Sequence, residues 1–147
     1  MKKLHFTIRI DAPRQLVWDT MLQPETYSQW TAAFCEGSYY KGSWEAGSDI
    51  LFLSPSGEGM KAVIAENRAG EFLSIRHFGC VTNEAVEPIT EPAFENYAFR
   101  DVEGGTELGV EMDSPDQYEA MFQDMWPRAL QLLKALCESH HARSEEH

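Results

Sequence analysis

The sequence predicts an α+β fold: a curved antiparallel sheet of six to seven strands wrapped around a long C-terminal helix, with two short helices after the first strand. Three observations carry this. Segments with apolar residues at every second position open the chain and fill its middle, proline-led helical patterns interrupt them once, and an amphipathic run with helical spacing comes last. Glycine-bearing breaks between neighbouring strand segments read as hairpins, which makes the sheet antiparallel.

Taken in order, residues 4–11 place Leu4, Phe6, Ile8 and Ile10 on one face and His5, Thr7 and Arg9 on the other, a half-buried strand. In "DAPRQLVWDTML" the signal changes: Asp11 is a candidate cap, Pro13 suits a first helical position, and Leu16, Val17, Met21 and Leu22 recur at helical spacing. "QPETYSQW" repeats the device with Pro24, giving a second short helix that ends between Trp30 and Phe34. From Glu36 onward the chain is strands and turns, two apolar runs around Gly42 and Gly47 and then residues 50–53 before the turn "SPSGEG". "MKAVIAEN" and "EFLSIRHF" flank "RAG", and "ENYAFRDV" and "TELGVEMD" flank Glu103, Gly104 and Gly105, two further hairpins. Between them, residues 78–92 ("FGCVTNEAVEPITEP") read as a long irregular connection with two prolines and three glutamates, a candidate lid or an ordinary solvated loop.

The final helix is announced by "SPDQ", with Ser114 as cap, Pro115 in the first turn, Asp116 near the positive end of the dipole and Gln117 three residues after the cap. At about 100° per residue, Tyr118, Met121, Phe122, Met125, Trp126, Ala129, Leu130, Leu132, Leu133 and Leu136 share one half of the wheel. Pro127 falls on the polar half, although proline in a helix interior costs roughly 3 kcal/mol. On the outer face water can satisfy the carbonyl that proline frees, and the helix bends toward its apolar side, over a concave surface such as a curled sheet. The alternative is two helices, one ending near Asp124 and the next starting with Pro127 at its first position. The large apolar half-wheel in turn fits either a filled core or a cavity left between helix and sheet.

Bulk properties bound the function. A chain of 147 residues suits a single core, expected over residues 1–139 with a frayed polar tail over 140–147. A formal charge of −12 argues against nucleic acid or an anionic membrane surface as partner. No apolar run approaches the 18 or so residues of a membrane span, and the alternating start is unlike a signal peptide, so a cytoplasmic location is expected. Cys35, Cys80 and Cys137 are far apart with no CxxC, and His140, His141 and His147 form only a superficial cluster in the tail; neither a disulfide framework, a metal nor another cofactor is expected.

Four stretches carry a resemblance: "IRIDAPRQLVWDTMLQPETYSQW" (residues 8–30), "SWEAGSDILF" (43–52), "GTELGVEMD" (105–113) and "MWPRALQLLKALCE" (125–138). On them the chain resembles the START-like helix-grip superfamily (SRPBCC), which includes polyketide cyclases and lipid-transfer domains, and within it the group named for homologues of the activator of heat-shock protein 90 ATPase. The resemblance implies a helix-grip fold and a pocket for hydrophobic ligands between sheet and helix. Its motifs are turns, caps and core positions, so they specify fold far better than function.

The candidate ligand-binding residues follow from that geometry. The strands offer Phe52, Leu73, Ile75, His77, Tyr97 and Phe99; the last helix offers Tyr118, Met121, Phe122, Met125 and Trp126, and Trp30 closes one end. His77 shares the parity of Leu73 and Ile75, so it is a polar group on an apolar face that can orient a ligand or move a proton, or else a hydrogen-bonded core histidine. Tyr97 offers a hydroxyl to a ligand or to the backbone. No GxSxG, phosphate loop or Cys–His motif is present. The leading expectation is a binding module for a small hydrophobic molecule. A cyclase- or dehydratase-like enzyme with His77 or Tyr97 in the same cavity is the alternative, and a chaperone ATPase co-regulator, with a possible homodimer, is a third.

Overall fold

In the computed structural model, which describes residues 1–83 and 85–145, the alternating segments form one seven-stranded sheet. The chain runs β1 (Lys2–Ile10), α1 (Arg14–Leu22), α2 (Pro24–Trp30) with a 3-10 turn at Thr31–Ala33, then β2 (Tyr39–Gly42), β3 (Asp49–Leu53), β4 (Gly59–Arg68), β5 (Phe72–Thr82), β6 (Ala85–Val102) and β7 (Gly105–Ser114), and ends in α3 (Glu119–Glu145). The strand order is β1-β7-β6-β5-β4-β3-β2, every pairing antiparallel. Five hairpins thus lay β2 to β7 side by side, and β1 returns to the β7 edge with Ile10 opposite Thr106 and Leu4 opposite Met112. The expected architecture is the one observed.

The turns obey local chemistry. Gly70 and Gly104 stand at φ 76° and 80° in the β4–β5 and β6–β7 hairpins, a region glycine enters without strain. Two caps read from the sequence are not used: α1 starts after Pro13 with no side-chain cap, and the Ser114 hydroxyl, still in β7, donates to the Pro115 carbonyl instead. A short 3-10 turn (Asp116–Tyr118) supplies the entry to α3, so strand pairing takes Ser114 out of the capping position.

Residues 78–92 are not an irregular connection. Thr82 pairs with Ala85, Val81 with Val86, Cys80 with Glu87 and Gly79 with Pro88, so β5 and β6 continue as a two-stranded arm beyond the rest of the sheet. The turn there contains Asn83 at φ 51°, a residue type that tolerates the left-handed region. The prolines fit because Pro92 lies in a wide bulge: the register passes from His77–Ala93 to Gly79–Pro88, so residues 89–92 together face Phe78. Register shifts on β4 fall between Lys61 and Ala62 and between Ile64 and Glu66. Bulges of this kind raise the local twist, and here they curl the sheet about α3.

α3 is a single helix with Pro127 inside it and exposed, as the bent-helix reading expected. It runs on through residues 140–145, where a frayed tail was expected, while His147 lies outside the described residues. Ala129, Leu130, Leu133 and Cys137 are buried against β1 and α1, in one core with Ile10, Val17, Met21 and Leu108. Leu132, placed on the apolar half-wheel, is 42% exposed. Among the described residues no helix is long and apolar enough to cross a membrane.

Candidate functional site

The core does not fill the whole space under the sheet. In its first half α3 stands off the strands, and a cavity of about 830 Å³ opens between the helix, the inner face of β3–β6 and the α2 region. That volume is in the range of small-molecule sites. Trp126 is the wall on the helix side. It is 3% exposed, its indole N–H reaches Met112 Sδ at 2.8 Å, and its ring stacks on Phe6 at 5.9 Å and meets Phe34 edge-on at 5.0 Å. Opposite it, Tyr27 meets Tyr40 edge-on at 5.0 Å and lies 6.3 Å from Phe52. These rings interlock, so the wall is apolar and stiff.

Parity on β5 and β6 places a polar group within this apolar space. Leu73, Ile75 and His77 point to the inner face, and across the ladder Leu73 pairs with Tyr97 and Ile75 with Glu95. Glu95 therefore lies diagonal to His77 and two residues from Tyr97 on its own strand. His77 Nε2 is 3.2 Å from Glu95 Oε1, and the Tyr97 hydroxyl donates to Glu95 Oε2. Burial raises the Glu95 carboxyl, but the hydrogen bond and charge of His77 and the Tyr97 hydroxyl bring it below the usual carboxylate range. Burial, then the charge and hydrogen bond of Glu95, push the Tyr97 hydroxyl well above its usual range. Burial and the same charge also raise Tyr27.

An ionised carboxylate only accepts, so Nε2 of His77 is the donor and Nδ1 is left for another partner. Nδ1 is buried with no hydrogen bond, and so is the Nε1–H of Trp44. Trp44 also lines the cavity, in a segment tied down by Asn67 Nδ2 donating to the Trp44 carbonyl at 2.7 Å. The other cavity indoles are satisfied: Trp30 donates to the Met21 carbonyl at 3.0 Å and Trp126 to Met112.

The candidates read from sequence mostly meet here. Trp30, Phe52, Leu73, Ile75, His77 and Tyr97 line the cavity, and so do Tyr118, Met121, Phe122 and Trp126 from the helix side. Phe99 and Met125 do not. Phe99 shares the parity of Tyr97 but lies nearer the β6–β7 turn, where its ring meets Trp18 of α1 edge-on at 5.4 Å. Met125 is half-buried and outside the lining, although on the helical wheel it falls between Met121 and Phe122. Tyr118 and Met121 are 46% and 39% exposed and stand at the mouth with Phe94. Glu95, Tyr27, Phe34 and Trp44 were missed. For Glu95 a signal existed: it is a carboxylate on the inward parity of β6, in step with Tyr97 and Phe99. For Trp44, in a segment without period, none did.

Among the described residues no group of three or more His, Cys, Asp or Glu could hold a metal ion. A family model described as "Activator of Hsp90 ATPase homolog 1-like protein" matches residues 11–138. No curated protein matches the chain. Solved structures do. Protein MLL2253 from Mesorhizobium loti has a TM-score of 0.75 at 16% identity, covering 94% of this chain and 98% of that one. The Aha1 dimer from Colwellia psychrerythraea gives 0.72 at 15% identity, with 94% and 97% covered. CalU16 from Micromonospora echinospora gives 0.66 at 18% identity, with 91% and 73% covered. At these identities the likeness is one of fold.

Proposed function

The chain belongs to the family of activator of Hsp90 ATPase homolog 1-like proteins, and on that premise we propose that it binds a small hydrophobic molecule in the cavity between the curled sheet and α3. One observation carries the reading: a space of about 830 Å³ walled by aromatic and aliphatic side chains beside the continuous buried core. The fold itself is compatible with many functions, so the cavity and not the family name supports the proposal. The binding residues are those that line it, with Trp126 and Phe52 on opposing walls. The protein acts in the cytoplasm in this reading.

N-phenyl-1-naphthylamine, a neutral dye that brightens in apolar surroundings, tests it. Saturable binding with a matched change in tryptophan emission is expected, and displacement by unlabelled naphthalenes should follow. Absence of saturable binding to folded protein would overturn the reading. Native mass spectrometry of freshly purified protein would reveal a co-purified guest.

One observation favours a second reading, cyclase- or dehydratase-like chemistry in the same cavity: His77 lines it with its Nε2 held by the buried Glu95 carboxylate. Tyr97 is the weaker candidate, because its proton is committed to Glu95. If a poly-β-ketone thioester mimic is turned over, His77→Phe should abolish turnover and leave dye binding. A chaperone co-regulator role rests on the family name alone, and pull-down of a large ATPase partner would be its test. The Colwellia protein is solved as a dimer, and light scattering tests whether this chain also dimerises.

A further inference from the structure

We infer that the molecule held in the cavity is a hydrophobic amine, its protonated nitrogen received by the Glu95 carboxylate among aromatic rings. This rests on the hydrophobic-ligand reading and adds to it a chemical class. Glu95 stands on the inner face of β6, paired with Ile75 of β5 on one side and Met112 of β7 on the other. Even so, 23% of its side-chain surface is accessible. Desolvation is the largest influence on its carboxyl, so that surface belongs to the cavity it lines and not to open solvent.

The carboxylate has acceptor capacity left over. It offers about four lone-pair sites, of which His77 Nε2 takes one on Oε1 and the Tyr97 hydroxyl one on Oε2. It can only accept, so a guest that uses it must bring a donor. His77 does not cancel its charge freely. The Nδ1 of that ring is buried without a partner, so a protonated ring would leave an N–H of a cation unmatched, whereas the neutral ring that donates from Nε2 leaves only a lone pair there. After burial, the charge of Glu95 is the next influence raising both the Tyr97 and the Tyr27 hydroxyls, so a negative potential reaches from β6 to α2.

The protein's own cations stay at the mouth. Met1 is among the lining residues there, Lys2 pairs with Glu119 at 2.9 Å, and Lys3 pairs with Glu111 at 3.1 Å and Asp113 at 3.5 Å. Among the described residues no lysine or arginine side chain lines the cavity itself. Rings complete the site: Phe52 lies 5.6 Å from His77 and Trp126 lies 6.1 Å from Tyr97, so an aromatic ring adjoins each partner of Glu95, and Tyr27 stands 6.3 Å from Phe52. An ammonium within about 6 Å of a ring centroid is attracted to the ring face. A hydrocarbon leaves the carboxylate unused and an anion is repelled by it. The fold already bears the desolvation of Glu95, so an entering cation meets only its own. A formal charge of −12 also draws cations toward the chain as a whole.

Four probes of similar size test this by displacement of N-phenyl-1-naphthylamine and by nuclear magnetic resonance. They are 2-(aminomethyl)naphthalene, protonated at neutral pH, 2-naphthol, 2-methylnaphthalene and 2-naphthoate. Wild-type protein should bind the first three saturably, the amine at least about tenfold more tightly than 2-methylnaphthalene, with 2-naphthol between them and 2-naphthoate weakest. Glu95→Gln should lower the affinity ratio of the amine to 2-methylnaphthalene about tenfold. Unmodified protein gives an independent reading if the variant fails to fold: the side-chain carboxyl ¹³C resonance of Glu95 should move further on adding the amine than on adding 2-methylnaphthalene, which brings the same ring system. An amine that binds no better than 2-naphthol or 2-methylnaphthalene, a ratio unchanged in Glu95→Gln, or equal movement of the Glu95 resonance overturns the amine assignment and leaves the cavity reading standing. Failure of all four to saturate overturns both.

Discussion

Glu95 shows how much one side chain can set. It accepts from His77 and from Tyr97, and these two bonds hold it below the usual carboxylate range in spite of its burial. Because its pKa is lower in the folded than in the unfolded chain, the unfolded state binds more protons in the acid range. Its contribution is therefore complete above the ordinary value of 4.5 and is lost as pH falls through the lowered folded value. Urea unfolding from pH 6 to pH 3 should show a shallower acid loss of stability in Glu95→Gln than in wild type, and equal slopes would mean the carboxylate is not held by its partners. His77 and Tyr97 were legible from parity, because β-strand alternation is strict. Glu95 was not singled out because acidic residues are so common on the polar faces of this chain that one on the inner face did not stand out.

At the scale of elements, α3 and the β5–β6 arm behave differently from the rest. Pro127 is exposed, so α3 gains nothing from it by contact; what it supplies is a break in the backbone ladder on the outer face of the helix. Pro127→Ala should restore a donor and raise stability by about 1–3 kcal/mol in chemical denaturation. A loss of stability would show instead that the sheet requires the break. The apolar face of α3 was readable because a helical period survives one proline. The arm was not, because Pro88, Pro92 and the bulge at residues 89–92 erase the period of two on which a strand is recognised. Ile89, Thr90 and Glu91 from that bulge line the cavity mouth. Amides of residues 85–87 and 89–91 should therefore exchange more slowly with solvent once 2-naphthol is bound, and unchanged exchange would exclude the arm as a cover.

On the scale of the whole molecule, the curled sheet and its helix pack tightly at one end and part at the other. Leu133, Ala129 and Ile10 are fully buried where α3 meets β1 and α1, whereas Tyr118, in the 3-10 turn before the helix, and Met121, in its first turn, stand half exposed at an open mouth. The apolar pattern on α3 is continuous through both regions, so the sequence marks which face is inward and not whether the space below it is filled. That difference depends on the curl of the sheet, which is set by bulges on β4 to β6 that leave no local mark. The order of elements along the chain and the long helix, by contrast, were set by glycine-bearing turns and periodicity and could be read directly.

The most direct measurement is calorimetric titration of the protein with 2-naphthol at several temperatures. Saturation at one site per chain with a negative heat-capacity change is the result expected of an apolar guest entering the cavity. Titration without saturation, or binding with no heat-capacity change, would contradict a ligand site between the sheet and α3.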